Sequence, residues 1–340
     1  MKKYFLLVVL ITTITIYCNA QQEMSAYKQT LKLMGTRFEI TAVSDDEELA
    51  MNSIDSAIFE IKRIEKLISS WDNNSQTTAI NNNAGIKAVK VDTELIDLII
   101  RSKKIADLTN GIFDISFASV DKLWQFDGTQ DTIPSELEIK KSVSKINYKN
   151  IIVDREQSTV FLKEKGMKIG FGAIGKGYAA NKAKNKMLTM GIKNGVVNAA
   201  GDLIAWGKME NNNNWSIGIA NPKEKDKIMG WLIISDMAVV TSGNYEKFFI
   251  SNGKKYSHII NPKTGWPATG TKSVTIICPD AEIADALATS VFILGPIDGV
   301  KLINQLKNIE CLIVTDNDEI VKSSGLKLSY YNTDNTKVNN

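Results

Sequence analysis

Between residues 195 and 278 the chain carries five short apolar runs: GVVNAAGDLIAWG, WSIGIANP, GWLIISD, MAVVTSGNY and SVTIIC. Each is broken or bounded by glycine, asparagine, aspartate or proline. Runs of this length suit strands and are short for helices. Strands joined by tight polar breaks return antiparallel, because a parallel partner needs a crossover of a dozen or more residues. Helical periodicity surrounds this strand-rich part. The expected architecture is therefore α+β, a single mixed domain over residues 21–335 with helices packed on largely antiparallel sheets. No internal repeat or flexible linker divides it.

In the first half, Ser44 with Asp45, Asp46 and Glu47 opens a helix, since acids favour a helix N-terminus. Ile54, Ile58, Ile61, Ile64, Leu67 and Ile68 give it one apolar stripe. A second helix is expected from about Thr93 to Leu108, stopping at Asn110-Gly111. SSWDNNSQTTAINNNAG between them reads as a polar loop. LKLMGTRFEITAV reads as one half-buried strand, with Met34-Gly35-Thr36 as a bulge or close backbone approach. The segment from about Lys122 to Lys149 reads as a solvated insertion with a short helix. Short strands follow near Ile151–Val153 and Thr159–Lys163, two closing helices begin near Ala281 and Pro296, and a mostly polar tail follows Ser329.

The first residues, MKKYFLLVVLITTITIYCNA, join two lysines to an apolar run too short for a membrane span and then small and polar residues. Residues 1–20 are expected to be a secretory signal peptide cut after Ala20. Lipidation of Cys18 is the alternative, with Tyr17 against it because small residues normally precede a lipidated cysteine. Loss of Lys2 and Lys3 takes the net charge from +3 to +1, which favours no nucleic-acid partner. Cys278 and Cys311 remain, both in apolar runs; a disulfide and two buried thiols are equally open. Two cysteines and one histidine lack zinc-ligand spacing.

Three stretches carry chemistry. Gly170 to Gly177 nearly fits the phosphate loop G-x-x-x-x-G-K-[ST], but Gly177 stands where a hydroxyl should hold magnesium. What survives is a glycine turn opening a helix, whose N–H groups and Lys176 favour an anion; a plain packing turn reads equally from the residues. In AEIADALATSVFILG, Asp285 and Thr289 are four apart, which on a helix puts two hard oxygens on one face, suited to Mg²⁺. Asp285 as a helper at the N-terminus of a buried helix is the competing reading. His258, in YSHIINPKTGWP, is the only histidine of the chain and the side chain best suited to proton transfer near neutral pH.

Seven short motifs in order, LMGTRFEI, TNGIFDIS, GAIGKGYA, NAAGD, TSGNY, SHIINPKTG and ADALATS, resemble the ApbE-type flavin transferases over nearly all of the chain beyond the leader. The resemblance implies an exported, periplasmic enzyme that binds FAD with Mg²⁺. It implies transfer of the FMN part to a threonine or serine hydroxyl of a partner flavoprotein, an extracytoplasmic subunit of an electron-transfer complex, with release of AMP. Membrane attachment would come through that acceptor or through Cys18. By resemblance Met34 lies on the segment against the flavin, Trp71 is a ring contact, Asp114 belongs to the G-x-F-D segment, and Lys176 and Ile260 contact the cofactor. Ala173 would offer its carbonyl to the metal alongside Asp285 and Thr289. Gly170 departs from the family, in which many relatives carry aspartate there, and the hydrogen bonds of that acid must be missing or supplied elsewhere.

Phosphoryl transfer depends chiefly on positioning and electrostatics. The acceptor hydroxyl must also lose a proton, and His258 is the expected base or proton relay; a histidine that only hydrogen-bonds a phosphate or the backbone is the plainer alternative. An FAD pyrophosphatase and a non-enzymatic exported FAD-binding protein are the rival functions, separated by whether FMN is released, and whether it then stays free or becomes bonded to protein.

Overall fold

A computed structural model of the chain describes residues 23–340 apart from 121–122, 127–129, 131, 223, 225–227, 245–247, 252, 332–336 and 340. The expected leader and Cys18 lie outside the described residues.

Eight strands form the main sheet: β1 (Ser25–Leu33), β2 (Thr36–Ser44), β3 (Asn194–Ala199), β4 (Asp202–Trp206), β5 (Met237–Gly243), β6 (Thr271–Cys278), β7 (Glu310–Thr315) and β8 (Ile320–Lys322). Their order in the sheet is their order in the chain, and every neighbouring pair is antiparallel. The helices and the site therefore sit in excursions between sheet neighbours.

Side chains alternate across a strand, so each strand feeds two cores. Val240, Val274, Ile276 and Ile313 face the helices. Val239, Ile277 and Leu312 face the other way, where a smaller sheet containing Trp215–Ala220 and Ile228–Ile234 covers them. Cys278 and Cys311 are free, buried thiols. Burial pushes Cys278 up to about 12 and Cys311 up to about 11.

α1 (Glu47–Ile68) buries the predicted stripe. At about 1.5–3 kcal/mol per fully buried side chain, that face outweighs intrinsic helix propensity. The helix opens within the expected Ser44–Glu47 stretch. Asp46, not Ser44, accepts the Leu49 N–H at 2.9 Å, while Ser44 Oγ takes the Asp46 N–H at 3.0 Å. α3 (Thr93–Leu108) stops as predicted: Asn110 (φ 50°) and Gly111 (φ 76°) are left-handed, and Gly111 donates to the Ala106 carbonyl at 2.7 Å. α5 (Gly175–Thr189) crosses α1 and α6 (Ala281–Ile303). α6 breaks at Gly295 (φ 79°), just before Pro296, so the two closing helices expected to begin near Ala281 and Pro296 are both present, joined at that glycine. Although long and apolar enough to cross a membrane, α6 packs Leu287, Val291 and Phe292 into the main core. Charged groups tie the helices together: Glu94 accepts from Arg63 at 2.7 Å, Lys182 at 2.8 Å and Tyr178 Oη at 2.5 Å, and Arg101 holds Glu282 at 2.7 Å.

Three expectations are corrected. LKLMGTRFEITAV is a hairpin rather than a bulged strand. Leu33 pairs with Thr36 across a two-residue turn in which Met34 (φ 49°) and Gly35 (φ 76°) are both left-handed. Such a turn usually takes asparagine first, so a methionine there hides the signal, and Ser25–Leu33 ahead of the turn forms a strand of its own, β1. The polar loop contains α2 (Gln76–Asn82), capped by Ser75, whose oxygen accepts the Thr78 N–H at 2.9 Å. One buried isoleucine, Ile80, anchors it, too little for periodicity to show. The segment 122–149 is not simply solvated. Its short helix α4 (Glu136–Val143) and Trp124 belong to a separate aromatic cluster with Phe249, Tyr256 and Ile260.

Candidate functional site

Five discontinuous segments converge on one cleft. The glycine-rich stretch before α5 is irregular backbone, and its polar groups are met by side chains, as buried backbone requires. Asn81 on α2 both donates to and accepts from Ile169, at 3.0 and 2.8 Å. Ser119 does the same for Lys168, at 2.9 and 2.8 Å. Gly170 donates to the Ile115 carbonyl at 2.9 Å. The helix missed in the polar loop thus fixes the glycine turn.

Asp114 stands on the facing segment, buried. Its Oδ1 accepts from the Ser116 N–H at 2.8 Å and Ser116 Oγ at 2.6 Å, and its Oδ2 from the Tyr148 N–H at 2.8 Å. Burial raises its carboxyl, opposed by these donors. The residue lines the cavity, but its oxygens are spent on holding the Ile112–Ser119 segment.

The NPKTG turn is closed by the Asn261 N–H to Trp266 O and the Gly265 N–H to Asn261 O, both 2.8 Å. Gly265 has φ 74°, and a Cβ there would lie 2.6 Å from Ile139 Cγ2, so only glycine lets the loop dock on α4. Trp124 Nε1 donates to the Gly265 carbonyl at 2.9 Å. Through this loop the aromatic cluster holds His258 and Ile260 in the cleft wall. His258 is half-buried and meets the Phe126 ring edge-on, with centroids 6.4 Å apart.

The cleft has two chambers. The first, about 360 Å³, is lined by Trp71, Asp114, Ala173, His258, Ile260 and Thr289, together with Gly170 and Ser70. The second, about 330 Å³, adds Trp124, Phe126 and Lys168 and shares Ser70, Trp71, Phe117, Ala118, His258 and Ile260 with the first. His258 therefore borders both. Trp71 is 83% exposed at the mouth, an uncommon position for so large an apolar ring. At Gly170 a Cβ would lie 3.1 Å from Ala118 Cβ, and Ser70 Oγ, 3.8 Å away, is the closest polar side-chain atom.

α6 brings the oxygen groups. Thr289 Oγ1 lies 3.4 Å from Ser242 Oγ on β5. One turn earlier Asp285, 4% exposed, accepts the Gly177 N–H at 3.0 Å. Burial pushes its carboxyl up, opposed by the Lys176 ammonium and by the Gly177 and Lys176 N–H groups. Gly177 explains the failed phosphate-loop match: a Cβ there would meet the Ala281 carbonyl oxygen at 2.0 Å, so the position serves close helix crossing.

Six of the nine candidate residues line the first chamber. Asp285 is not in that lining; it lies one helical turn before Thr289 and accepts the Gly177 N–H. Met34 and Lys176 are not in its lining. Met34 lies behind the glycine turn, its Cε 3.7 Å from where a Gly175 Cβ would be. The Lys176 ammonium pairs with Asp202. Residue reasoning had given no role to Ser242 or Asp202, although both fall in family-like motifs, TSGNY and NAAGD.

A carboxylate and hydroxyls are hard oxygen donors of the kind Mg²⁺ takes, with few protein ligands and room for phosphate. Among the described residues no cluster of three or more His, Cys, Asp or Glu suited to a metal occurs.

A sheet in chain order with helices in its excursions, and an oxygen-bearing helix flooring an aromatic cleft, define a class of fold seen in solved structures. The ApbE protein of Thermotoga maritima shares it with TM-score 0.81 and 32% identity, covering 88% of this chain and 97% of that one. The flavin transferase ApbE of Vibrio cholerae matches with TM-score 0.78, at 21% identity over 88% and 98%. A FAD:protein FMN transferase of Klebsiella pneumoniae is 30% identical over 307 residues, 89% of this chain and 94% of the relative. One of Treponema pallidum is 26% identical over 325 residues, 91% and 90%. The ApbE family pattern matches residues 34–313. The chain belongs to the ApbE family.

Proposed function

We propose that the chain is a FAD:protein FMN transferase, moving FMN from FAD to a threonine or serine hydroxyl of a partner flavoprotein and releasing AMP. One observation supports the reading: Thr289, whose hydroxyl lies 3.4 Å from Ser242 Oγ and which follows Asp285 by one helical turn, lines the same cleft as His258, the only histidine. The names of the relatives supply the substrate class. Trp71, exposed at the mouth, offers a face for a flat aromatic ring.

Asp285 and Thr289, with the Ala173 carbonyl, would hold Mg²⁺, which supplies Lewis-acid neutralisation of the diphosphate. The glycine turn adds backbone donors at the start of α5. Within the cleft the acceptor hydroxyl forms a bond to the FMN phosphorus while the bridging P–O bond to AMP breaks. His258 takes the hydroxyl proton, a service worth ~10²–10⁴-fold. In this reading the enzyme is exported through residues 1–20 and meets an acceptor subunit of an electron-transfer complex outside the cytoplasm.

The test incubates purified protein with FAD, Mg²⁺ and a threonine-bearing acceptor domain, and reads protein mass. An FMN-sized addition is expected, abolished in Asp285→Asn. His258→Ala should slow it about 10²-fold while FAD affinity stays within about threefold. FMN accumulating free with no protein adduct would turn the reading into a pyrophosphatase, and undiminished transfer by Asp285→Asn would remove the metal site.

A further inference from the structure

The second chamber holds a charge that the chemistry above leaves unused. Among its described lining residues only Lys168 and His258 are ionisable. Asn81 and Trp124 line it too, but the Asn81 amide is committed to Ile169 and the Trp124 ring N–H to the Gly265 carbonyl. The Lys168 ammonium has no ion-pair or hydrogen-bond partner among the described residues. Its backbone is fixed all the same: Ser119 Oγ holds both the carbonyl and the N–H of Lys168, and Asn81 holds the next residue. The ammonium is thus presented from a rigid base. More positive charge lies alongside. Residues 163–168 carry Lys163, Lys165 and Lys168, all exposed, against Glu164 alone, and the Lys145 ammonium would meet a Cβ at Gly166 at 3.4 Å.

The two chambers offer different chemistry. Gly172, Ala173 and Thr289 line only the first, and they belong to the turn and the helix read above as the diphosphate and metal side. Trp124, Phe126 and Lys168 line only the second, and His258 borders both. We propose that the second chamber docks the acceptor protein through the segment bearing its target hydroxyl, and that Lys168 selects a segment with a carboxylate near that hydroxyl in sequence. The inference rests on the transferase reading of the cleft. The rings of Trp124 and Phe126 shield the docked segment from water, where an ion pair is worth more than in bulk solvent. Lys145, Lys163 and Lys165 extend the same preference to an acidic surface around the segment and steer its approach.

The experiment follows FMN addition to a threonine-bearing acceptor domain by wild type, Lys168→Met and Lys168→Glu at saturating FAD. FAD affinity is measured separately by fluorescence, and thermal melts accompany each protein. The domain is used unaltered, with the Asp and Glu residues beside its threonine changed to Asn and Gln, and with the same residues changed to Lys. On the unaltered domain Lys168→Met raises the acceptor KM about threefold to tenfold, and Lys168→Glu raises it further, while kcat and FAD affinity stay within about twofold. The amide form of the domain loses the same factor with wild type and nothing more with Lys168→Met, as partners in one pair must. The lysine form is used better by Lys168→Glu than by wild type. An acceptor KM that neither variant moves overturns the proposal, and so do losses that simply add. A fall in FAD affinity with the acceptor KM unchanged also overturns it and gives the chamber to the nucleotide. Should Lys168→Glu not fold, Lys168→Met with the amide form decides alone. A wild type that releases free FMN and forms no protein adduct overturns the transferase reading, and this inference with it; an adduct formed equally well by all three proteins removes this inference alone.

Discussion

Gly177→Ala adds one methyl at the crossing of α5 and α6. That methyl would stand 2.0 Å from the Ala281 carbonyl oxygen, 2.6 Å from its carbon and 2.9 Å from Asp285 Cβ. All three atoms are backbone or the first side-chain carbon, so no flexible end can swing away. The oxygen contact is about 1.4 Å inside ordinary contact distance, and the helices must part. Overpacking of this kind costs about 1–3 kcal/mol, while the better helix propensity of alanine returns at most about 1 kcal/mol. A net loss of about 1–2 kcal/mol corresponds to a melting point lower by about 2–8 °C. Parting the helices also stretches the 3.0 Å bond from the Gly177 N–H to Asp285, so Mn²⁺ affinity should fall by about tenfold, the worth of one hydrogen bond to a charge. Melts with and without the ion, beside an Mn²⁺ titration, measure both effects. Gly172→Ala is the stability control, because a Cβ there meets nothing within 4 Å. A Gly177→Ala protein that melts with wild type and binds the ion equally well refutes the argument.

Three more predictions concern other parts of the molecule. Burial alone would raise the Glu94 carboxyl, but Arg63, Lys182 and Tyr178 outweigh it and hold it at about 2 against an ordinary 4.5. The stability it contributes is therefore full above pH 4.5 and lost as pH falls toward 2; acid titration by circular dichroism should show Glu94→Gln with a shallower loss across that window. Cys278 and Cys311, buried and pushed up to about 12 and about 11, should resist thiol reagents in the native protein and react on unfolding, with mass spectrometry of the native chain showing two free thiols. Trp71→Ala should leave the melt within about 0.5 kcal/mol of wild type, as exposed substitutions do, yet weaken FAD binding about threefold to tenfold if the ring stacks on the ligand; fluorescence titration decides.

Sequence reasoning reached the elements whose signals are local. The α1 stripe and the Asn110-Gly111 stop are written in consecutive residues, and both are found where expected. It failed where a local signal was masked. Met34 occupies a left-handed turn position that asparagine usually marks, α2 has a single buried isoleucine, and Trp124 sits in a polar stretch although it is buried. The cleft itself was legible only as a set of motifs, because its walls come from segments as far apart as Trp71 and Thr289. Resemblance named the residues; it did not show that Asp114 spends its oxygens on Ser116 and the Tyr148 N–H, or that Lys176 pairs with Asp202. Lys176 and Asp202 lie 26 residues apart, Asp114 and Tyr148 34, and no periodicity links them.

The stacked rings of Trp124, Phe249 and Tyr256, with Phe249 and Tyr256 5.0 Å apart at 9°, form a packing unit distinct from the one beneath α6. The cleft is thus a seam between a large cooperative body and a small one, and free energies of local opening follow the size of the unit that opens. Hydrogen exchange should place the His258 loop in the less protected unit and the Asp285 turn in the more protected one. The His258 wall can then open at modest cost while the α6 side stays fixed, which under the proposed function would suit admission of a folded protein as a reactant.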